Sequence, residues 1–429
     1  MIPARSLTVE TQAVAHCTVR HVKHPAWSRA AAANQRQICI VSETYAPEVN
    51  GVALTLARLI EGLRQQGHSV SIVRPRQKSF DRASHGYDLR ETLVHGLPLP
   101  GYRGLHVGLP ASGALQRCWR QQRPDVVYVA TQGPLGWSAV RAARRLNIPI
   151  FSGFHTNFDS YSKHYHAAWL RFLILRYLRW FHDRTSGTFV PSIDLRERLQ
   201  NLGLRNVSVL GRGVDSGLFT PKCRCTALRR MWGVSENDLA VLYVGRVAPE
   251  KNLGLAIESY RAMQRVGGAM KFVIVGDGPQ RAALQTKHPD LIFCGVHTGE
   301  ELARRYASAD IFLFPSETET FGNVTLEAMA SGLVVVAYDY AAAHLHISHN
   351  ETGMLAPYGK SQNFIDAAVM LACAPQSLSK IRRQAREHAA TVDWQRVVKR
   401  FAALLIGGAE ADHHASSEDA SEPIEAPCY

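Results

Sequence analysis

From Gln37 onward, short β-branched or apolar runs alternate with longer segments whose apolar residues recur at helical spacing. Such alternation builds βαβ units, and a succession of them closes as a parallel sheet covered by helices on both faces. ICIV (38–41) reads as the first strand, followed by the loop SETYAPEVNG and a helix carrying Val52, Leu56, Leu59, Ile60 and Leu63 on one face. Gly67 ends that helix before a second strand, HSVSIV (68–73). Further strands are expected at DVVYVA (125–130), IPIFSGFH (148–155), GTFVPS (187–192) and NVSVL (206–210), with helices near 137–146, 169–183 and 195–201. The first domain therefore spans 37–212. GVDSGLFTPK (213–222) has turn residues and little apolar periodicity, and reads as a linker. A second series, LAVLYVG (239–245), MKFVIVG (270–276), LIFCG (291–295), DIFLFPS (310–316) and LVVVAYD (333–339), gives a second domain over 223–406 that ends in a C-terminal helix. The expected fold class is α/β, with two Rossmann-like doubly wound domains.

Length agrees with this division: 429 residues at roughly 150 per domain suggest two or three domains. With 46% apolar and 20% charged residues, fibrous and wholly disordered readings fail. The formal charge of +13 points to an anionic partner, whether nucleotide, nucleic acid or acidic membrane. The eight cysteines are scattered, as in a reduced cytosol. Residues 1–36 have no apolar run long enough for a signal-peptide core and are expected to be a flexible extension. Arginines or an aspartate interrupt the most apolar later windows, so no span of the bilayer is expected. After Gly407 the chain carries Glu410, Asp412, Glu418, Asp419, Glu422 and Glu425 without Lys or Arg, and residues 407–429 are expected to be a disordered acidic tail.

Neither a Walker A motif nor a GxGxxG is present, so phosphate must be held otherwise. GRVAPEKN places Arg246 just past a strand's carboxyl end and Lys251 at the start of the next helix, where open α/β sheets bind ligands. Arg offers a planar fork and Lys a point charge, a pairing suited to a diphosphate; a solvated charged loop would carry the same residues. In PSETETFGNVTLEAMASG (315–332), Phe321, Gly322 and Asn323 form a strand-to-helix turn whose amides would face a phosphate or sugar hydroxyls. Glu327, inside that helix, has two carboxylate oxygens for the vicinal diol of a ribose. Glu319 and Glu327 could instead line a solvated helix face. The three segments GRVAPEKN, VGDGP (275–279) and PSETETFGNVTLEAMASG, in order on one α/β half, favour a nucleotide site.

On these residues, the run from Ile38 to about Leu405 resembles retaining glycosyltransferases of family 4, with the two-domain GT-B fold facing across a cleft and the two glutamates of its signature at Glu319 and Glu327. SETYAPEVNGV, FHTNFDSYSKHY (154–165), SETETFGNVTLEAMASG and AYDYAAA (337–343) are most similar to GDP-mannose-dependent α-mannosyltransferases and to sulfoquinovosyl-diacylglycerol synthases. The resemblance implies that Arg246 and Lys251 bind the donor diphosphate with the backbone of Gly51. It gives Glu327 to the ribose, and Glu319 with Phe321, Gly322 and Asn323 to the transferred sugar. His155 would face the sugar from the first domain, so His155 and Glu319 become the catalytic candidates. Two departures from the family's pattern touch no implied contact: Val334 stands where proline is usual, and in HNETG (349–353) Asn350 must adopt the positive φ a glycine would supply.

By itself His155, at the end of an apolar strand, would be an ordinary buried histidine. His344, His346 and His349 lack a supporting ligand set, and no Asp-x-Asp occurs, so no metal is expected. No cofactor is expected either, the nucleotide-sugar being a substrate. Residues 169–184 interleave Trp169, Phe172, Tyr177, Trp180 and Phe181 with Arg171, Arg176 and Arg179, a core helix with a solvated edge or a contact with an anionic membrane. The expected activity is transfer of a hexose, mannose from GDP-mannose, to a lipid or saccharide acceptor by a cytoplasmic enzyme, with a peripheral seat on the inner membrane as an option. Alternatives are a UDP-sugar transferase, a nucleotide-sugar epimerase, or a non-catalytic basic protein on membrane or nucleic acid. Nucleic acid is not expected, because no recognised binding motif accompanies the basic residues.

Overall fold

The computed structural model describes residues 35–46, 48, 50–77, 81, 83, 89–98, 106–155, 168–236, 238–319 and 321–418. The extension up to residue 34, most of FHTNFDSYSKHY after His155, the side chains of Trp169 and Arg171, and residues 419–429 lie outside the described part.

The first domain contains β1 (Gln37–Val41), β2 (Ser69–Pro75), β3 (Leu89–Val94), a short antiparallel pair β4 (Gly96–Pro98) and β5 (His106–Gly108), then β6 (Val126–Val129), β7 (Ile150–Gly153), β8 (Gly187–Val190) and β9 (Val207–Val209). Its main sheet runs β3-β2-β1-β6-β7-β8-β9, all parallel. The second domain contains β10 (Leu239–Val244), β11 (Met270–Val275), β12 (Ile292–Gly295), β13 (Ile311–Phe314), β14 (Val334–Tyr338) and β15 (Met354–Ala356), in the parallel order β12-β11-β10-β13-β14-β15. In both sheets the winding direction reverses once, between β1 and β6 and between β10 and β13. Each reversal leaves a crevice beyond the strands' carboxyl ends, and such crevices receive ligands in open α/β sheets.

Strand alternation sorts the first core into two layers. Ile38, Ile40, Ile72, Val126 and Tyr128 face Leu56, Leu59, Ile60 and Leu63 of the helix Gly51–Gln65, while Cys39, Val41, Val127 and Val129 face Trp119, Leu135, Ala139 and Ala143 on the other side. One larger cluster fills the second domain.

The chain crosses between domains twice, side by side. Val214 donates its N–H to Val392 O at 3.0 Å and pairs with Asp393 in an isolated parallel bridge. Gly213 admits that approach, since a Cβ there would lie 2.6 Å from the Trp394 nitrogen.

The sequence reading ends the second domain at 406 and leaves 407–429 disordered. The structure differs. A single helix, Trp394–Glu418, runs through Gly407 and Gly408 and returns to the first sheet, with Val398, Phe401, Leu405 and Ala409 buried against it. Phe401 meets Tyr128 edge-on at 4.9 Å between ring centroids. The physical reason is that apolar residues at helical spacing persist across the two glycines, and a Cβ at Gly408 would strike the Phe151 ring at 2.6 Å. The last helix therefore belongs to the first domain's core. β3 and the helix Ser112–Gln121 were also not expected from the sequence.

Candidate active site

The second-domain half of the site begins where β10 ends. The loop after β10 packs backbone-to-backbone on the VGDGP loop: a Cβ at Gly276 would lie 1.9 Å from Gly245 O, so no other residue fits. A 3-10 turn, Pro249–Lys251, then carries Lys251 toward the loop after β13. There its ammonium donates to Thr318 O at 3.1 Å and forms a short ion pair with Glu319. Ser316 Oγ donates to the same Glu319 oxygen at 2.8 Å, and Tyr340 OH holds the Glu319 carbonyl at 3.0 Å. The diphosphate and sugar candidates Lys251 and Glu319 are thus one unit. Arg246 stands apart: its side chain is 66% exposed and reaches Glu250 at 3.5 Å.

Gly322 has φ 93° and turns the chain from strand to the helix Asn323–Ala330, a conformation glycine adopts without a Cβ penalty. Phe321 is buried and accepts from the Ala342 N–H through its carbonyl at 2.8 Å. Neither Asn323 nor Val324 has a backbone amide partner among the described residues, which leaves donors at a helix N-terminus. One turn further on, Glu327 accepts from Tyr306 OH at 3.1 Å. The residue keeps a partly open side, yet its carboxyl is crowded enough that desolvation pushes it up to about 7. A carboxyl with one neutral hydrogen bond keeps acceptor capacity for a diol.

The first domain contributes the opposite wall. Asn50 caps the helix Gly51–Gln65, accepting from the Val52 and Ala53 amides at 3.1 and 2.9 Å, so the N–H of the exposed Gly51 is not used by the cap. His155 follows β7, its Nε2 2.9 Å from Tyr128 OH, while Nδ1 is buried with no partner among the described residues. Burial, then the nearby Arg212 charge, depress it to about 3, so the imidazole is neutral in the fold at neutral pH. Glu43, just past β1, accepts from the Leu135 N–H at 2.9 Å, and desolvation raises it to about 7.

Arg212, Tyr306, Ser316 and Glu43 were missed from the sequence. Arg212 offered a signal of the same kind as Arg246, a cation just beyond a strand in GRGVD. As for the histidines, His344 pairs with Asp339 at 2.7 Å, His346 sits 3.4 Å from His388, and His349 accepts from the Leu355 N–H. No group of three or more metal-ligating side chains is arranged to hold an ion among the described residues. Asn350 has φ 65°, the conformation expected of it. Among the described residues no helix is long and apolar enough to cross a membrane.

Residues 49–218 match the family description Glycosyltransferase Family 4, and residues 238–373 match Glycosyl transferases group 1. A GDP-mannose-dependent alpha-mannosyltransferase of Mycobacterium tuberculosis is 36% identical over 347 residues, covering 78% of this chain and 87% of that protein. The chain belongs to glycosyltransferase family 4. A further relative, sulfoquinovosyl transferase SQD2 of Arabidopsis thaliana, is 29% identical across 81% of this chain and 68% of its own. Among solved structures, Anabaena Alr3699/HepE in complex with UDP superposes with a TM-score of 0.68 at 19% identity, over 86% of this chain and 99% of that one. That likeness shows the fold, GT-B with two Rossmann-like domains. The protein is a glycosyltransferase.

Proposed function

We propose that this family 4 enzyme is a retaining α-mannosyltransferase that takes mannose from GDP-mannose and passes it to a hydroxyl of a lipid or saccharide acceptor. The observation that carries the donor is the 36% identity, over 78% of this chain and 87% of the relative, with a protein named as a GDP-mannose-dependent alpha-mannosyltransferase. In this reading Lys251 and Arg246 approach the diphosphate, Glu327 receives the ribose, and Glu319 with the Phe321–Asn323 turn holds the mannose. Negative charge grows on the leaving diphosphate as the sugar bond breaks, and cations with helix N-termini fixed in advance stabilise it without reorganising. A neutral His155 can donate or accept one hydrogen bond at the sugar. Closure of the domains excludes water, which would otherwise compete with the acceptor for the donor.

Ligand-dependent melting tests the donor. GDP and GDP-mannose should raise the melting temperature, by about 2.7 kcal/mol of added stability at a hundredfold excess over the dissociation constant, and UDP should leave it unchanged. Mass spectrometry of products made with GDP-mannose and a membrane lipid extract, with EDTA present, tests transfer and metal independence together. Selective stabilisation by UDP would instead favour a UDP-sugar transferase, and an oligonucleotide alone a non-catalytic protein.

We place the acceptor at a membrane surface because the helix Ala168–His182 exposes Phe172, Leu173 and Tyr177 by 63, 49 and 38% beside the exposed Arg176 and Arg179. Each basic residue near an anionic leaflet contributes about 1 kcal/mol within a Debye length. Co-sedimentation with anionic vesicles should therefore fall at high salt and in an Arg176→Gln, Arg179→Gln double variant. Equal pelleting of both proteins would leave a soluble saccharide acceptor.

A further inference from the structure

Arg212 lies between β9 and the first domain crossing, and its side chain is enclosed, with only 6% of the residue exposed. Among the described residues its one hydrogen-bond partner is a neutral amide, Asn323 Oδ1 at 3.5 Å. Its Nε has no partner, and among the described residues no carboxylate forms an ion pair with the guanidinium, the Glu319 charge acting on it without one. The contrast within this chain is sharp. Arg229, equally buried, meets Asp310 at 2.9 Å and three backbone carbonyls, and Arg74 meets both Asp81 and Glu91. A desolvated cation without an ion-pair partner is costly, and burial holds Arg212 below its ordinary range, at about 10.

Its surroundings indicate what completes it. Nη1 lies 3.5 Å from where a Gly51 Cβ would be, at the N-terminus of the fifteen-residue helix Gly51–Gln65. On the other side the guanidinium faces the Phe321 ring at 5.8 Å and touches Asn323, the first residue of the helix Asn323–Ala330. Two helix N-termini, one from each domain, thus converge on a buried guanidinium, and both favour an anion. Gly51 is exposed and Asn323 partly so, which leaves an approach from solvent.

We infer that Arg212 is a further donor-binding residue, which engages the distal phosphate of a nucleoside diphosphate from the first-domain side, opposite Lys251. The inference rests on the nucleotide-sugar reading above and extends it: this residue separates nucleoside diphosphates from monophosphates. The single amide contact with Asn323 yields to a phosphate, and the guanidinium gains charge-assisted bonds that it lacks without ligand. His155 then loses an unfavourable neighbour, since the phosphate offsets the Arg212 charge beside it.

Calorimetric titration of the wild type, Arg212→Gln and Arg212→Lys with GDP, GMP, UDP and UMP tests this. Arg212→Gln should weaken binding of the preferred diphosphate about ten- to a hundredfold and leave its monophosphate unchanged, with Arg212→Lys in between. Equal weakening of diphosphate and monophosphate in a folded variant, or no weakening of either, would overturn the assignment. If Arg212→Gln does not fold, the lysine variant reads the same ratio, since it keeps the charge but loses the fork. Preference of the wild type for UDP would overturn the GDP donor and leave the Arg212 assignment standing on the UDP–UMP ratio. A wild type that binds no nucleoside diphosphate would overturn the transferase site itself and Arg212 with it.

Discussion

Lys251→Ala and Glu319→Gln should each lower kcat/KM by about 10²–10³, and the double variant should be little worse than the worse single. The two side chains are joined in one ion pair, with Ser316 on the same carboxylate oxygen. Removing either changes the position and the charge that the other presents to the donor, so their contributions cannot be independent. Stability should follow the same logic. The side chains are 19 and 15% exposed, so one unpaired charge is left partly desolvated in each single variant, at a cost of about 1–3 kcal/mol, and the double variant recovers most of it. Arg246→Ala is the informative contrast: an exposed arginine bound loosely to Glu250 should weaken donor binding without moving the melting temperature. Steady-state kinetics and melting curves on the wild type and the four variants decide the matter. Strict additivity of the kinetic losses would mean that Lys251 and Glu319 act separately, with their pairing incidental to transfer.

That coupling could not be read from the sequence, where Lys251 and Glu319 stand 68 residues apart and are assigned to different parts of the donor. What was legible is what periodicity reports. β10 and β13 are uniform apolar runs, and β11 departs only at the exposed Lys271 near its start, because a parallel sheet covered on both faces favours apolar residues throughout. β3 was not legible, because LRETLV carries Arg90 and Glu91 at its centre. Glu91 is tolerated inside with Arg74 3.1 Å away, a partner supplied by β2. The final helix shows the same limit. Phe401 and Leu405 recur at helical spacing whichever sheet they cover, so the pattern gave a helix and could not give its address on the first domain. Arg212 is a third case. Its position past a strand was visible, whereas its lack of an ion-pair partner among the described residues is a property of the assembled cleft.

The pH dependence of stability should have two regimes, a steep rise from about pH 3 to 4.5 and a shallow one from there to about 6.5. Burial keeps His155 and His182 neutral down to about 3 and His346 to about 4, while in the unfolded chain each takes up a proton below about 6.5. Between those values the unfolded state holds more protons, so stability increases with pH by up to about 1.4 kcal/mol per pH unit for each group and is lost on acidification. Glu43 and Glu327 act with the opposite sign. Desolvation raises both to about 7, so between about 4.5 and 7 the folded state holds more protons, and stability falls as pH rises. Among these five groups, three imidazoles against two carboxyls leave a rise of about 1.4 kcal/mol per pH unit above 4.5, to which His68 and His388, held down by burial, add, and from which Glu48, raised by burial, and His344, raised by Asp339, subtract. Below 4.5 both carboxyls are protonated in either state and no longer oppose the three histidines, which contribute up to about 4 kcal/mol per pH unit until His346 titrates. Asp81, held below its ordinary value by Arg74, adds in the same direction in that acidic range. Denaturant unfolding across pH 3.5 to 7 would trace the profile, and a Glu43→Gln, Glu327→Gln double variant separates its parts. With the opposing carboxyls gone, the steep slope should extend up to about 6.5. A variant whose profile stays as shallow as the wild type's in that interval would show that the two carboxyls ionise in the fold as readily as in the unfolded chain, and Glu327 would then meet a ribose already charged.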